Sequence, residues 1–478
     1  MLILHTAVLA LAHITLMSSG GPADWPGFRG PNGNGVCAAA TLPDSLEGEN
    51  ALRWRVDLPR GYSSPIVLDD CIIVTATEGN DLFTICLDRA TGETRWKYTS
   101  SSPLKEPLRT PNTATSSTPL TDGNCIFVYE LTTGLVSLDL DGNVIWEHAM
   151  EDPNVPHRMS SSPVLAEDVV VLQCDQDTNS YLLGVDAATG EERWKIERPG
   201  VLHGYATPVV YDPGDGGPLE VIVSGSYEVC SYDASTGEQI WFARGAAWQT
   251  KSVPVLGDGC VFVHAAMGPM TEYGAPTLPV NFKSLTDEFD ADGDGLLQQA
   301  EWTHPAIAQL WFLYDLDKDG AFDEGEFKHA ERRSSAAASG GFFAIDLGGS
   351  GDVTDTHVRW SFADKRSLPD IPSPILVGDI VYLLKEGGVL SAVDAATGEL
   401  IKRGRVGESD RFYASPIAAG DRLLVASHGG LVTIIQAGRE WEPISTLDLG
   451  EEIWATPALA DDALIMRTQT ALYSFCLE

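Results

Sequence analysis

A unit of about 45 residues recurs eight times along this chain, and repetition at that period dictates an array of like supersecondary pieces rather than one irregular core. Each copy opens on a Ser/Thr-Pro step or its equivalent, with prolines at Pro65, Pro119, Pro163, Pro208, Pro254, Pro374, Pro416 and Pro457. Successive gaps are 54, 44, 45, 46, 120, 42 and 41 residues. The second half of the unit runs hydrophobic–Asp–x–x–Thr–Gly–x–x–x–Trp. It is complete at Leu87-Asp88…Thr91-Gly92…Trp96, at Val185-Asp186…Thr189-Gly190…Trp194 and at Tyr232-Asp233…Thr236-Gly237…Trp241. Weaker copies end at Trp146, Trp360, Lys402 and Trp441.

Each unit reads as four short strands. After the proline come an apolar run, a Gly/Asp turn and a second β-branched run, as between Pro163 and Leu172. A third strand carries the Asp, Thr-Gly turns the chain, and the Trp lies on a fourth strand. Four antiparallel strands per period make one blade of a β-propeller, and eight blades close a ring. The segment Leu52–Leu58 is a Trp strand with nothing before it, and Ala471–Cys476 is a third strand with nothing after it. The first should complete the last blade, so that no edge is left unpaired at the seam.

An eightfold ring with these repeats resembles the PQQ-like repeat propellers, the group that includes quinoprotein alcohol dehydrogenases and BamB. The resemblance runs from about residue 50 to the end, interrupted once. The opening Asp24-Trp-Pro-Gly-Phe-Arg-Gly-Pro31 also looks like the start of a secreted branch of that group. Repeats of this kind imply a fold more firmly than a function.

The interruption is the 120-residue gap, which leaves roughly 75 residues outside the ordinary period. Residues 269–339 are expected between the second and third strands of one blade, dividing the chain into 51–268 and 340–478 around the insert. The insert holds two EF-hand loops. In the first, Asp290, Asp292, Asp294 and Glu301 supply side-chain oxygens, Leu296 a carbonyl, and Gln298 a ligand through water. In the second, Asp315, Asp317, Asp319 and Glu326 repeat the pattern, with Ala321 as carbonyl donor and Asp323 in the water position. Two calcium ions are the expected cofactors. They should order the insert without holding up the ring. Residues 282–289 and 305–314 read as entering helices, and the thirteen residues between Glu301 and Asp315 leave little room for an exiting one.

A formal net charge of −37 excludes a phosphate-neutralising surface and so a nucleic-acid partner. Residues 1–23 have the short apolar run and small-residue ending of a cleaved signal peptide, followed by an extended segment over 24–50. The expected location is therefore the periplasm or the exterior, without direct membrane insertion. Cys71, Cys125 and Cys260 each open a second strand and Cys86, Cys230 and Cys476 each sit in a third, which is how small core residues recur.

Five residues before the proline stand Arg60, Arg158, His203 and Arg411; three before it stand Tyr62, Tyr205, Lys251, Tyr413 and Trp454. Period-two spacing puts both positions on one side of the incoming strand, ringing the mouth of the channel on the insert's face. Such a funnel suits an anionic or sugar-like ligand or a protein segment. The resemblance to quinoprotein dehydrogenases implies PQQ in that funnel, but their adjacent-cysteine pair is missing here. No nucleophile elbow, zinc-protease motif or phosphate loop occurs either. The expected function is a calcium-binding scaffold without catalysis; the alternatives are a quinoprotein oxidoreductase and an outer-membrane assembly factor.

Overall fold

The computed structural model describes residues 25–48, 50–104, 112–214, 216–265, 277–334 and 340–477. Within them, eight four-stranded antiparallel units follow one another as an all-β, eight-bladed propeller. Blade 1 is Ile66–Leu68, Cys71–Glu78, Asp81–Asp88 and Thr94–Thr99, and the others follow in chain order. Blade 8 takes its fourth strand from the other end of the chain: Leu52–Asp57 pairs antiparallel with Ala471–Cys476, Trp54 opposite Ser474. The ring closes as the sequence predicts. The expected leader, residues 1–23, lies outside the described residues, as do 269–276 and 335–339 of the insert. No helix among the described residues is long and apolar enough to cross a membrane.

The repeat's second half is a docking device between blades. Asp88 Oδ1 accepts from the Ala90 and Thr91 backbone N–H groups and the Thr91 hydroxyl, fixing the turn. The carbonyl of the next residue is left pointing at the neighbouring blade. There the indole N–H of Trp54 donates to Arg89 O at 2.9 Å, Trp96 to Leu140 O at 2.7 Å, Trp146 to Ala187 O at 3.0 Å and Trp194 to Ala234 O at 3.0 Å. Each ring lies flat on the turn glycine: a Cβ on Gly190 would sit 2.5 Å from the Trp146 ring, and its φ of +73° excludes most side chains anyway.

Three blades, 4, 6 and 7, depart from the pattern. The weak copy ending at Trp441 does not put Trp at the docking position. Register places Ser445 there, opposite Ile434, while Trp441 is buried in the preceding turn. Its carbonyl instead accepts from Lys402 Nζ of blade 6 at 2.8 Å, with the ammonium 5.1 Å above its ring, so a cation–π contact replaces the indole. Trp241 of blade 4 donates to Glu220 Oε2 of its own blade at 3.0 Å.

The residue before each proline lies on a second, inner ring, and it is Ser or Thr everywhere except at Val253. Ser64 N donates to Thr118 Oγ1, Thr118 N to Ser162 Oγ and Ser162 N to Thr207 Oγ1, each at 3.0 Å. Val253, Ser373 and Ser415 continue it onto Ser373, Ser415 and Thr456. Residues 25–37 fill the axis inside this ring. Trp25 exchanges two backbone hydrogen bonds with Val67 of blade 1, Pro26 O accepts from Thr121 N of blade 2, and Phe28 packs with Val209 of blade 4 and Val253. Arg29 Nη2 donates to Pro374 O at 2.7 Å, and Val36–Cys37 runs parallel to Ala418–Ala419 of blade 7. The extended N-terminal segment is therefore a plug, and the channel is blind.

The insert leaves blade 5 between Cys260–Ala265 and Gly341–Asp346, as expected. Its described helices are α1 (Phe282–Phe289), α2 (Pro305–Gln309) and α3 (Glu324–Ser334), with a 3₁₀ turn at Trp311–Leu313 where the sequence suggests a continuous helix to 314. Insert and ring share one apolar cluster. Leu285, Leu297, Ile307, Phe322 and Phe327 pack with Leu202, Tyr227 and Trp248 of the propeller. The insert thus shares its core with the propeller.

Deleting residues 1–50 should remove the plug and leave a closed, soluble ring, whereas deletion through Leu58 bares the Ala471–Cys476 edge and should aggregate. Light scattering and thermal melting distinguish the two, and a soluble monomer with unchanged melting after the longer deletion would refute closure. Glu130 gives a second test. It is 4 % exposed, accepts from Ser100 Oγ at 2.6 Å, and burial pushes its carboxyl from 4.5 up to about 7. The folded state thus keeps a proton that the unfolded chain releases near 4.5, so stability falls as pH rises through that interval to about 7. Glu130→Gln should be more stable than the parent at pH 8 by roughly 2–3 kcal/mol, with the advantage vanishing near pH 4 in paired melts.

Candidate functional site

Above the plug the blade mouths enclose a cavity of about 690 Å³. It is floored by Phe28 and by pre-proline hydroxyls such as Ser64, Thr118 and Ser415. The third position before each proline, in the segment that leads into each blade's first strand, forms its wall. Tyr62, Tyr205, Lys251, Tyr413 and Trp454 all line it, as the spacing predicts. Ser160 and Ile371 hold the same position in blades 3 and 6.

Three of the wall residues form a slab. Trp454 stacks between Tyr62, at 4.6 Å and 12°, and Tyr413, at 4.3 Å and 10°. His428 meets Trp454 edge-on at 4.7 Å. Offset ring pairs of this kind add ~0.5–1.5 kcal/mol each beyond the area they bury. The slab joins blades 7, 8 and 1 across the seam. Arg60 closes its end, with its guanidinium 5.4 Å from the Tyr62 ring centre and hydrogen-bonded to the Tyr62 hydroxyl.

The fifth position before the proline converges less well. His203 and Arg411 line the cavity. Arg60 is spent on Tyr62, and Arg158 turns away with φ +65° to pair with Asp152 at 3.2 Å. The expected ring of four cationic or imidazole groups is corrected to two, because a left-handed backbone and a nearby carboxylate redirect Arg158. His203 is buried, with Nδ1 2.5 Å from Asp177 Oδ1 and Nε2 2.7 Å from the Gln249 amide. Lys251 bonds Asp370 at 2.6 Å, from blade 5 to blade 6. Asp177 and Trp248 were invisible in the repeat, lying in loops between strands. Gln249 stands five before Pro254, so the period alone locates it.

The fourth side of the cavity comes from the insert. Leu310, Phe312 and Leu313 lie over the mouth. Behind them, the two acidic loops pair back to back through Leu297↔Phe322 and Gln298↔Ala321. In the first loop Asp290 accepts from Gly293 N at 2.7 Å and Gly295 N at 2.9 Å, Asp294 from Leu296 N at 2.8 Å, and Glu301 from Gln298 N at 2.9 Å. The second loop repeats this. Asp315 accepts from Gly320 N at 3.2 Å, Asp317 from Asp319 N at 3.1 Å, Asp319 from Ala321 N at 2.9 Å, and Glu326 from Asp323 N at 3.0 Å. Carboxylate oxygens of Asp290, Asp292 and Asp294 lie within 4.8 Å of one another, as do those of Asp315, Asp317 and Glu326. Asp323 Oδ1 also accepts from Glu326 N at 2.8 Å at the start of α3. The two clusters differ in burial: Asp315 is 7 % exposed, while Asp292 and Asp294 are open to solvent.

A family model, PQQ_2, described as outer membrane protein assembly factor BamB, matches residues 45–200, 179–288 and 342–475. The chain belongs to this family. The unmatched stretch, 289–341, takes in both acidic loops, while the match runs on through 288 across most of α1. Outer membrane protein assembly factor BamB of Burkholderia pseudomallei (strain K96243) is 22 % identical over 386 residues, covering 79 % of this chain and 85 % of the relative. BamB from Moraxella catarrhalis superposes with a TM-score of 0.57 at 13 % identity, over 89 % of this chain and 97 % of that one. A europium-containing methanol dehydrogenase superposes at 0.62 with 10 % identity, over 96 % and 98 % of the two chains. Likeness at these identities carries the fold alone.

The charges that line the cavity are of mixed sign: Lys251 is paired with Asp370, Glu386 adds a carboxylate and Arg411 a guanidinium, and both faces of Trp454 are covered by Tyr62 and Tyr413.

Replacing Trp454 with Ala removes both stacked contacts and should cost about 2 kcal/mol, while Phe should recover at least half of it. Thermal melts of the two variants test this, and equal melting would show that the slab is incidental.

Proposed function

We propose that this protein is an exported interaction scaffold of the assembly-factor kind, which seats a segment of a protein partner in its blind cavity, and that its insert is an EF-hand pair holding two calcium ions. The observation that carries the partner reading is the cavity itself. It is closed below by residues 25–37, walled by the Tyr62–Trp454–Tyr413 slab, and open only at the insert's face. A blind, aromatic-lined pocket whose charged groups are of mixed sign favours side chains of a polypeptide over a highly charged small molecule. Relatives described as outer membrane protein assembly factors favour the same kind of partner and a periplasmic location. A sugar-like or small anionic occupant has less support, since Arg411 is the one cavity-lining guanidinium among the described residues.

Support for calcium comes from the loops. Both have carboxylates at the first, third, fifth and twelfth positions, glycine at the sixth, and the short strand pairing that joins two such loops. Asp290, Asp292, Asp294 and Glu301 would hold one ion with the Leu296 carbonyl and Gln298. Asp315, Asp317, Asp319 and Glu326 would hold the other with the Ala321 carbonyl and Asp323. Catalysis is not part of this proposal, and the quinoprotein alternative has a direct check: added PQQ should leave no bound visible absorption after gel filtration.

A photo-crosslinking residue in place of Tyr205, irradiated in an envelope fraction, should yield one discrete protein adduct. Arg411→Ala and Trp454→Ala should weaken that adduct about tenfold, while Arg158→Ala leaves it intact because Arg158 points elsewhere. No adduct, or one insensitive to Trp454→Ala, removes the cavity as the partner site.

A further inference from the structure

The second acidic loop is wired into the cavity at both of its ends. Before it, the indole N–H of Trp311 donates to Asp315 Oδ2 at 3.1 Å, and Asp315 N donates to Trp311 O at 3.0 Å. Trp311 stands beside Leu310, Phe312 and Leu313, which cover the cavity mouth. After the loop, buried Arg333 of α3 donates through Nη2 to Leu313 O. From the loop's second residue, Leu316, a third connection runs to the propeller. Asn154 Nδ2 donates to Leu316 O at 2.6 Å, Asp177 N donates to Asn154 O at 3.0 Å, and Asp177 Oδ1 faces His203 Nδ1 on the cavity wall.

The loop is also out of balance by itself. Asp315 is 7 % exposed, its Oδ1 meets no donor, and its carboxylate lies within 4.8 Å of those of Asp317 and Glu326. A buried carboxylate oxygen without a donor, beside two like charges, is held at a cost that a cation removes. The first loop has no such orphan among the described residues, and its Asp292 and Asp294 are solvated.

We infer that a divalent cation in the 315–326 loop completes the cavity, fixing Leu310–Leu313 as its fourth wall, while the 290–301 loop has no such role. This rests on the calcium reading above and adds which ion matters and what it controls. Without the cation, repulsion drives Asp315 outward. Trp311 then loses its acceptor, and Leu316 pulls on Asn154. The wall loosens on the side where Asp177 orients His203. The bistable element is the segment 310–316. Because coupling between sites is reciprocal, a cavity occupant must tighten cation binding in this loop by the same factor that the cation tightens the occupant.

The full-length protein can be titrated with calcium chloride by calorimetry, with hydrogen exchange followed in peptides over 305–316 and 154–160. Calcium should slow exchange in both by about tenfold. Asp290→Asn should remove one calorimetric event and leave that protection in place. Asp315→Asn should remove the other event and the protection together. Trp311→Phe keeps the carboxylates and the ring but lacks the donor, so it should retain both events and lose protection over 305–316, which also guards against misfolding of Asp315→Asn. Two calcium events with no change in exchange, or protection lost in Asp290→Asn rather than Asp315→Asn, overturns the coupling while leaving the calcium reading standing. Absence of any calorimetric event overturns both.

Discussion

The ring stands on one contact: the indole of a fourth-strand tryptophan lying on the turn glycine of the next blade and donating to the carbonyl beside it. A net hydrogen bond in a protein contributes only about 1 kcal/mol, and the flat apolar face adds burial on top. Repeated at Trp54, Trp96, Trp146, Trp194 and Trp360, it fixes both the spacing and the angle between neighbours. The contact also explains why Asp, Thr and Gly travel with the tryptophan. Asp and Thr hold the turn so that the carbonyl faces outward, and glycine leaves the ring room to lie flat. Where the tryptophan is missing, in blade 6, Lys402 reaches a carbonyl and an aromatic face at once, which is the nearest chemical substitute.

With blade spacing fixed from outside, the inner edge becomes a circle of pre-proline residues, and at six of its steps a backbone amide donates to the next blade's Ser or Thr hydroxyl. Buried polar groups there must be paired, and the Ser/Thr of the repeat does much of this without needing water. Such a circle has an axial hole, and residues 25–37 fill it. The plug carries a cost. Arg29 is wholly buried with only carbonyl partners, and burial lowers its guanidinium to about 9. The consequence is functional, since a blind channel presents one mouth, and that mouth lies on the face carrying the insert.

Much of the site was legible before any coordinates. Tyr62, Tyr205, Lys251, Tyr413 and Trp454 share one repeat position in the lead-in to each blade, and an equivalent position in every blade faces the same cavity. Two residues further out the same logic failed for Arg158. There a left-handed residue and Asp152 decide where the guanidinium goes. The Trp441 copy misled for a related reason: a bulge-prone turn slides the motif's tryptophan four residues off the docking position, and only register locates Ser445 there. The insert's place was readable from the interruption of the period. Its common core with Leu202, Tyr227 and Trp248 was not, since those residues look like ordinary loop and strand-entry positions.

By itself the sequence determined the number of blades, the pairing of the two chain ends, the position of the insert and the residues of its acidic loops. All of these follow from local spacing, which a strand or a turn converts directly into direction. The tertiary structure alone decided that Tyr62, Trp454 and Tyr413 form one slab, that residues 25–37 close the axis, and that Trp311 links an acidic loop to the cavity roof. Those depend on distances between segments tens to hundreds of residues apart. Such distances are set only when eight blades close on one another, because no local rule fixes the angle at which one sheet meets the next.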